Sequence, residues 1–168
     1  MSGRLGIDFG TSNTVLALWD PAANQAVPLH IPEYGQAWVQ NGEPVSVVPS
    51  LIHYTQDGLV WIGDQILQRE LQKSPRTMRW MKRYISQRSP MRVNLDGREI
   101  TPYLAGQDFL SSVLVFAAQE IDFGEEEIAL SVPVEAFEHY ENWLAGIAEK
   151  AGMPRFRLID EPSAAALG

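Results

Sequence analysis

Leu5-Gly6-Ile7-Asp8-Phe9-Gly10-Thr11-Ser12-Asn13-Thr14-Val15-Leu16-Ala17-Leu18 is an apolar run, a turn of small residues and a second apolar run. Leu5 to Phe9 and Thr14 to Trp19 are rich in β-branched and large apolar residues. Gly10, Ser12 and Asn13 supply the backbone freedom a reversal needs, so the segment is predicted to be a β-hairpin. Successive backbone N–H groups flanked by small hydroxyls make an anion-binding concavity, and Asp8 stands where it could order a hydrated cation beside the anion. Nucleotide phosphate is the natural guest. Read alone, the stretch also fits an ordinary hairpin with a solvated turn, so the rest of the chain has to decide.

Outward from the hairpin, Asp20 to Gln25 reads as a turn into a third strand at Ala26 to His30. From Ile31 to Ile100 the pattern is irregular and rich in turns. Strands are predicted over Val45 to Tyr54 and Val60 to Ile62, a short helix over Ile66 to Gln72, and a second short helix or turn over Thr77 to Ile85. Met91 to Val93 and Glu99 to Ile100 bracket an Asp96-Gly97 hairpin signal. Thr101 followed by Pro102 is an N-cap with a first-turn proline, and Leu110, Val113, Leu114, Ala117 and Ile121 recur behind it at helical spacing. Ile128 to Val132 reads as a buried strand. Phe137, Tyr140, Leu144, Ile147, Ala148 and Ala151 mark a second helical face that Gly152 and Pro154 end, and Phe156 to Ile159 is a further strand. Glu161-Pro162-Ser163-Ala164-Ala165-Ala166-Leu167 opens a last helix. The order βββ, insertion, αβαβα predicts an α/β fold with a mixed five-stranded sheet and crossover helices.

Bulk properties narrow the function. The chain has 168 residues, 45% of them apolar, with 13 basic and 21 acidic residues for a net charge of −8. That balance opposes the counterion-release binding used on nucleic acids. Without cysteines there are no disulfides, thiolate metal sites or cysteine nucleophiles. His30, His53 and His139 are scattered and read as surface or hydrogen-bonded imidazoles rather than metal ligands. No stretch approaches the roughly 20 apolar residues of a membrane span, and no signal-peptide core follows the start. A cytoplasmic protein without membrane or nucleic-acid partners is expected.

With Gly6-Ile7-Asp8-Phe9-Gly10-Thr11-Ser12-Asn13 near one end and Ile159-Asp160-Glu161-Pro162-Ser163-Ala164-Ala165-Ala166 at the other, the chain resembles the actin-like ATPases of ribonuclease H-like fold. Within them it is most similar to the 70-kDa heat-shock chaperones. Further landmarks fall in the family's order: Val48-Pro49-Ser50, Ile62-Gly63-Asp64-Gln65, Met81-Lys82-Arg83-Tyr84-Ile85 and Ser131-Val132-Pro133. The resemblance implies that residues 1–30 and 101–168 are the core of a first ATPase lobe and 31–100 an inserted smaller subdomain. A second lobe and a peptide-binding domain are expected outside this chain. It also implies ATP or ADP with Mg²⁺, and K⁺ as a further candidate ion. Gly10, Thr11, Ser12 and Asn13 would hold phosphates and Asp8 would contact the metal through water. Lys82 would be the cation near the γ-phosphate and the attacking water, Glu161 would orient water or metal, and Pro133 would be a switch proline. Amides, one metal and one cation suffice for phosphoryl transfer, which needs positioning and charge neutralisation more than covalent help.

The implied partners are unfolded client polypeptide and co-chaperones, reached through parts outside this chain, with the 168-residue piece monomeric and catalytically idle by itself. Two features depart from the family: the arginine that follows the switch proline is here Glu141, and the glycine after the Lys-Arg segment is here Ser86. Glu125-Glu126-Glu127 reads as a solvated loop and Trp80 as a packing residue. A bacterial actin-like filament ATPase, a sugar-kinase-like enzyme of the same fold and a catalytically retired scaffold remain alternatives. Lys82-Arg83 behind the long insertion favours the chaperone.

Overall fold

The computed structural model describes residues 4–123, 127–134 and 138–163. β1 (Arg4–Phe9) and β2 (Asn13–Asp20) form the expected antiparallel hairpin, with Ile7 opposite Leu16 and Phe9 opposite Thr14. Burial alternates along β1: Leu5, Ile7 and Phe9 point inward while Arg4 and Asp8 are exposed, the period-two pattern of a strand with one covered face. β3 (Gln25–Pro28) pairs with the second half of β2, Ala17 to Asp20.

β4 (Gln36–Gln40) and β5 (Glu43–Pro49) form a hairpin through Asn41 and Gly42, at φ 53° and 85°. Asn-Gly with both residues left-handed is the two-residue turn that matches strand twist. β5 then pairs with the start of β2, Asn13 opposite Pro49 and Thr14 opposite Val48. The sheet therefore has seven strands rather than the five expected, because β2 shares its free edge between β3 and β5. The stretch predicted as one strand over Val45 to Tyr54 breaks at Ser50. Beyond it, β6 (Leu51–Tyr54) belongs to a separate three-stranded sheet with β7 (Val60–Ile62) and β8 (Thr77–Arg79). α1 (Asp64–Gln68) follows β7, and α2 (Met81–Ser86) follows β8, so Thr77 to Ile85 divides into a strand and a helix.

β9 (Val93–Leu95) and β10 (Arg98–Ile100) close on Asp96 and Gly97 as the sequence signals. α3 (Pro102–Glu120) starts as expected: the Thr101 hydroxyl accepts from Leu104 N at 3.2 Å, one of the free N–H groups of a helix start. Ile121, expected inside this helix, is its C-terminal cap. β11 (Glu127–Val132) lies parallel to β1, and α4 (Glu138–Lys150) crosses to β12 (Phe156–Asp160), parallel to β11. The sheet order is β12-β11-β1-β2-β5-β4. Phe137, Glu125, Glu126 and Ala164 to Leu167, over which the last helix is expected to continue, lie outside the described residues. Glu127 is on β11, where it pairs with Arg157 at 2.8 Å.

The core lies between the sheet and the two long helices. Phe9 packs on Phe109 of α3 and Trp143 of α4, each at 5.9 Å between ring centroids, and Ile7, Leu110, Leu114, Leu130, Leu144 and Ile147 fill around them. On the opposite face Gly6, Ala17, Ala129 and Ile159 line a shallow apolar groove of about 370 Å³. Tyr54 of β6 donates to Asp108 Oδ2 of α3 at 2.9 Å, fastening the small sheet to the core.

Two predictions concern this scaffold. Gly63 enters α1 at φ 57°, and a Cβ there would sit 2.2 Å from Tyr34 O and 2.9 Å from Val48 Cγ1. Gly63→Ala should cost about 2–4 kcal/mol from left-handed backbone strain and overpacking, read as a lower urea midpoint. His53 bonds Thr77 Oγ1 at 2.8 Å, and burial, then the nearby Arg76 charge, lower its pKa from 6.5. The unfolded chain therefore takes up this proton first. The contribution of His53 to stability is complete above about pH 6.5 and falls as pH drops below it. His53→Gln should flatten the stability profile over that interval.

Candidate functional site

The turn between β1 and β2 closes on a glycine for a steric reason: a Cβ on Gly10 would lie 2.1 Å from Asn13 O. Ser50, at the break between β5 and β6, holds the turn in three places. Its N–H donates to Ser12 O at 2.8 Å, and its hydroxyl donates to Gly10 O at 2.9 Å. That leaves its oxygen to accept from the Thr14 hydroxyl at 3.0 Å. Thr14 and Ser50 are both buried, so this chain of bonds is shielded from water and sets the shape of the turn. Pro49 stands opposite Asn13, which gives the Val48-Pro49-Ser50 segment its structural role. Thr11, Ser12 and Asn13 face a cleft of about 290 Å³ whose other wall includes Arg79 and Trp80.

β1, β11 and β12 run parallel, and their C-terminal ends gather the ionisable groups, the edge where α/β sheets place ligands. Asp8 is near the end of β1, Ser131 is beside it on β11, and Glu161 follows β12. Ser131 donates its hydroxyl proton to Asp8 Oδ1. Asp160 accepts from Ser163 N at 2.8 Å and so caps the helix that Glu161 and Pro162 begin. These hydrogen bonds from Ser163 hold its carboxyl below the usual range.

Lys82 reaches the same point from α2. Trp80, at φ 58° and ψ 29°, turns the chain sharply out of β8, and Met81, Lys82 and Ile85 are thereby buried. A left-handed tryptophan costs about 1–2 kcal/mol. Its ring, expected to be a packing group, is exposed, with the Arg79 guanidinium carbon 4.2 Å from the ring centroid. The Lys82 side chain is 8% exposed; its ammonium forms an ion pair with Glu161 Oε1 and lies 3.8 Å from Asp8 Oδ1. Ser86, the last residue of α2, donates its hydroxyl to Lys82 O at 2.9 Å.

The structure thus brings Asp8, Lys82 and Glu161 into one cluster and sets Gly10 to Asn13 directly beyond Asp8 along the chain. Pro133 follows β11, and among the described residues the contacts of this cluster do not include it. Glu141 lies in the first turn of α4. Ser50 and Ser131 are the supporting residues that a local reading does not assign: each acts across strands, and only its place in a motif marks it. Among the described residues no three His, Cys, Asp or Glu side chains form a metal cage. Two carboxylates, Asp8 53% and Glu161 42% exposed, suit a hard divalent cation that keeps several waters and is completed by phosphate oxygens. The donor set fits Mg²⁺ in that mode.

No protein-family model matches the chain. Proteins named chaperone protein DnaK from Thermosipho africanus, Thermosipho melanesiensis and Thermotoga petrophila are each 28% identical over 166 residues, 97% of this chain and 25% of the relative. The chain spans about a quarter of the length of these curated relatives. The similarity to the 70-kDa chaperones is distant and covers nearly the whole chain. Among the described residues no helix is long and apolar enough to cross a membrane.

Ser50→Ala removes the bond to Gly10 O and leaves the Thr14 hydroxyl without its acceptor. The expected loss is about 2 kcal/mol in chemical denaturation. Replacing both partners, Ser50→Ala with Thr14→Val, should cost less than the sum of the two single changes, since no buried hydroxyl is then stranded.

Proposed function

We propose that this chain is the N-terminal lobe of an ATP-binding and ATP-hydrolysing chaperone of the 70-kDa heat-shock type. The observation that carries the reading is the meeting of Asp8, Lys82 and Glu161, brought from three distant stretches of sequence to the strand ends beside the Gly10–Asn13 turn. The distant similarity to DnaK supports it.

In this reading the turn holds the β- and γ-phosphates with its amides and with the Thr11 and Ser12 hydroxyls. Lys82 is a compact point charge suited to a γ-phosphate oxygen and to the water that attacks it. Phosphoryl transfer builds charge on the equatorial oxygens, and a fixed ammonium in a shielded place stabilises it without reorganisation. Glu161 orients that water. Ser131 fixes one oxygen of Asp8, which leaves the other to accept from metal-bound water. Bound Mg²⁺ would supply further neutralisation of the phosphate oxygens. Pro133, where β11 leads toward α4, is the candidate link to distant parts of the protein, and client polypeptide and co-chaperones would bind outside this chain.

Lys82→Met in the full-length protein should lower ATP turnover about 100-fold or more and change the ATP dissociation constant by less than tenfold, because the turn and Asp8 remain. The isolated lobe offers one phosphate wall, so calorimetry on it should give only millimolar ATP affinity. Turnover unchanged in Lys82→Met would overturn the assignment.

A further inference from the structure

α2 carries Lys82 but is only six residues long, too short to hold its own conformation in water. Its place is set from outside. Ile85 packs on α3 at Gly106, where a Cβ would lie 3.0 Å from Ile85 Cδ1. The Ile85 carbonyl is one of those that a helix end leaves without a partner inside the helix, and three donors meet it. The Arg88 N–H reaches it at 3.0 Å, the Tyr103 hydroxyl of α3 at 3.3 Å and His139 Nε2 of α4 at 2.9 Å. On its other side the imidazole accepts at Nδ1 from Arg88 Nε at 3.0 Å. A carbonyl only accepts and a guanidinium only donates, so these two bonds require the neutral ring with its proton on Nε2. Ile85, Arg88 and His139 thus close a ring of hydrogen bonds between the end of α2 and the start of α4.

That ring joins the two sides of the candidate site. β11 supplies Ser131, which bonds Asp8, and leads toward α4, on which His139 stands; α2 supplies Lys82. Lys82 and Ile85 lie within one helical turn, and the Ser86 hydroxyl ties that turn to Lys82 O at 2.9 Å. A shift of the Ile85 carbonyl is therefore passed to Lys82 along rigid backbone. We propose that His139 is a positioning residue: by fixing the last turn of α2 against α4 it sets where the Lys82 ammonium stands, and a displacement of the start of α4 moves that ammonium. The inference rests on the role of Lys82 proposed above.

A mutant cycle on ATP turnover by the full-length protein tests this. His139→Phe keeps a ring beside Tyr103 and removes both hydrogen bonds. It should lower kcat about tenfold, less than the loss expected for Lys82→Met itself, and change KM for magnesium–ATP less than about twofold. His139→Gln, whose side-chain amide can donate to Ile85 O, should recover most of the loss. In a Lys82→Met background His139→Phe should cause no further fall, because the group it positions is gone. The same factor in both backgrounds, a raised KM with kcat unchanged, or His139→Gln as impaired as His139→Phe would each overturn the proposal. Where His139→Phe does not fold, Tyr103→Phe removes the longer bond to the same carbonyl and should lower kcat about threefold; full activity there overturns the proposal. A full-length parent without ATP turnover overturns it together with the functional reading. An active parent matched by an equally active His139→Phe overturns it alone.

Discussion

The Lys82 ammonium is buried, and a buried charge must be paired if the fold is to hold it. Its partners stand on the ends of two strands, β1 and β12, which belong to the sheet, whereas Lys82 belongs to a short helix of the intervening region. The pairing therefore needs several features together. β11 must lie between β1 and β12 so that the strand ends converge, α2 must dock on α3, and the chain must turn hard at Trp80. Much of the geometry around the site can be read as meeting that requirement.

The same region shows how rigidity is obtained from small residues. Gly10 allows a reversal that any Cβ would block, and Ser50 holds the reversal by bonding the backbone on both sides of it. Gly63 turns the chain into α1 under the carbonyl of Tyr34. Each of these residues sets where a ligand-facing group can be. Trp80 meets the opposite need, because an aromatic residue in left-handed backbone is retained where its neighbours fix it. The strain lies two positions before Lys82.

Local signals were legible wherever one segment settles its own conformation. The hairpin at Gly10–Asn13, the Asp96-Gly97 turn, the Thr101 cap with Pro102 and the apolar strand Ile128 to Val132 all follow from backbone preference or composition, and the structure carries them. Asn41-Gly42 was an equally local signal for β4 and β5, obscured by the polar residues around it. The breaks at Ser50 and Trp80 were not legible, because β-rich and apolar stretches continue through both and only the neighbouring strands and helices select the bend.

By itself the sequence determined the α/β class, the turn chemistry of Gly10 to Asn13, and which residues carry charge near the motif positions, since these depend on residue type and short-range spacing. Tertiary structure alone decided that the sheet has seven strands, that Ser50 braces the turn, that Ser131 fixes Asp8, and that the Lys82 ammonium meets Glu161. The physical reason is range. Backbone propensity and periodicity act over a few residues, whereas strand edges, shared protons and paired charges join residues tens of positions apart, and their energies exist only once the chain has brought them together.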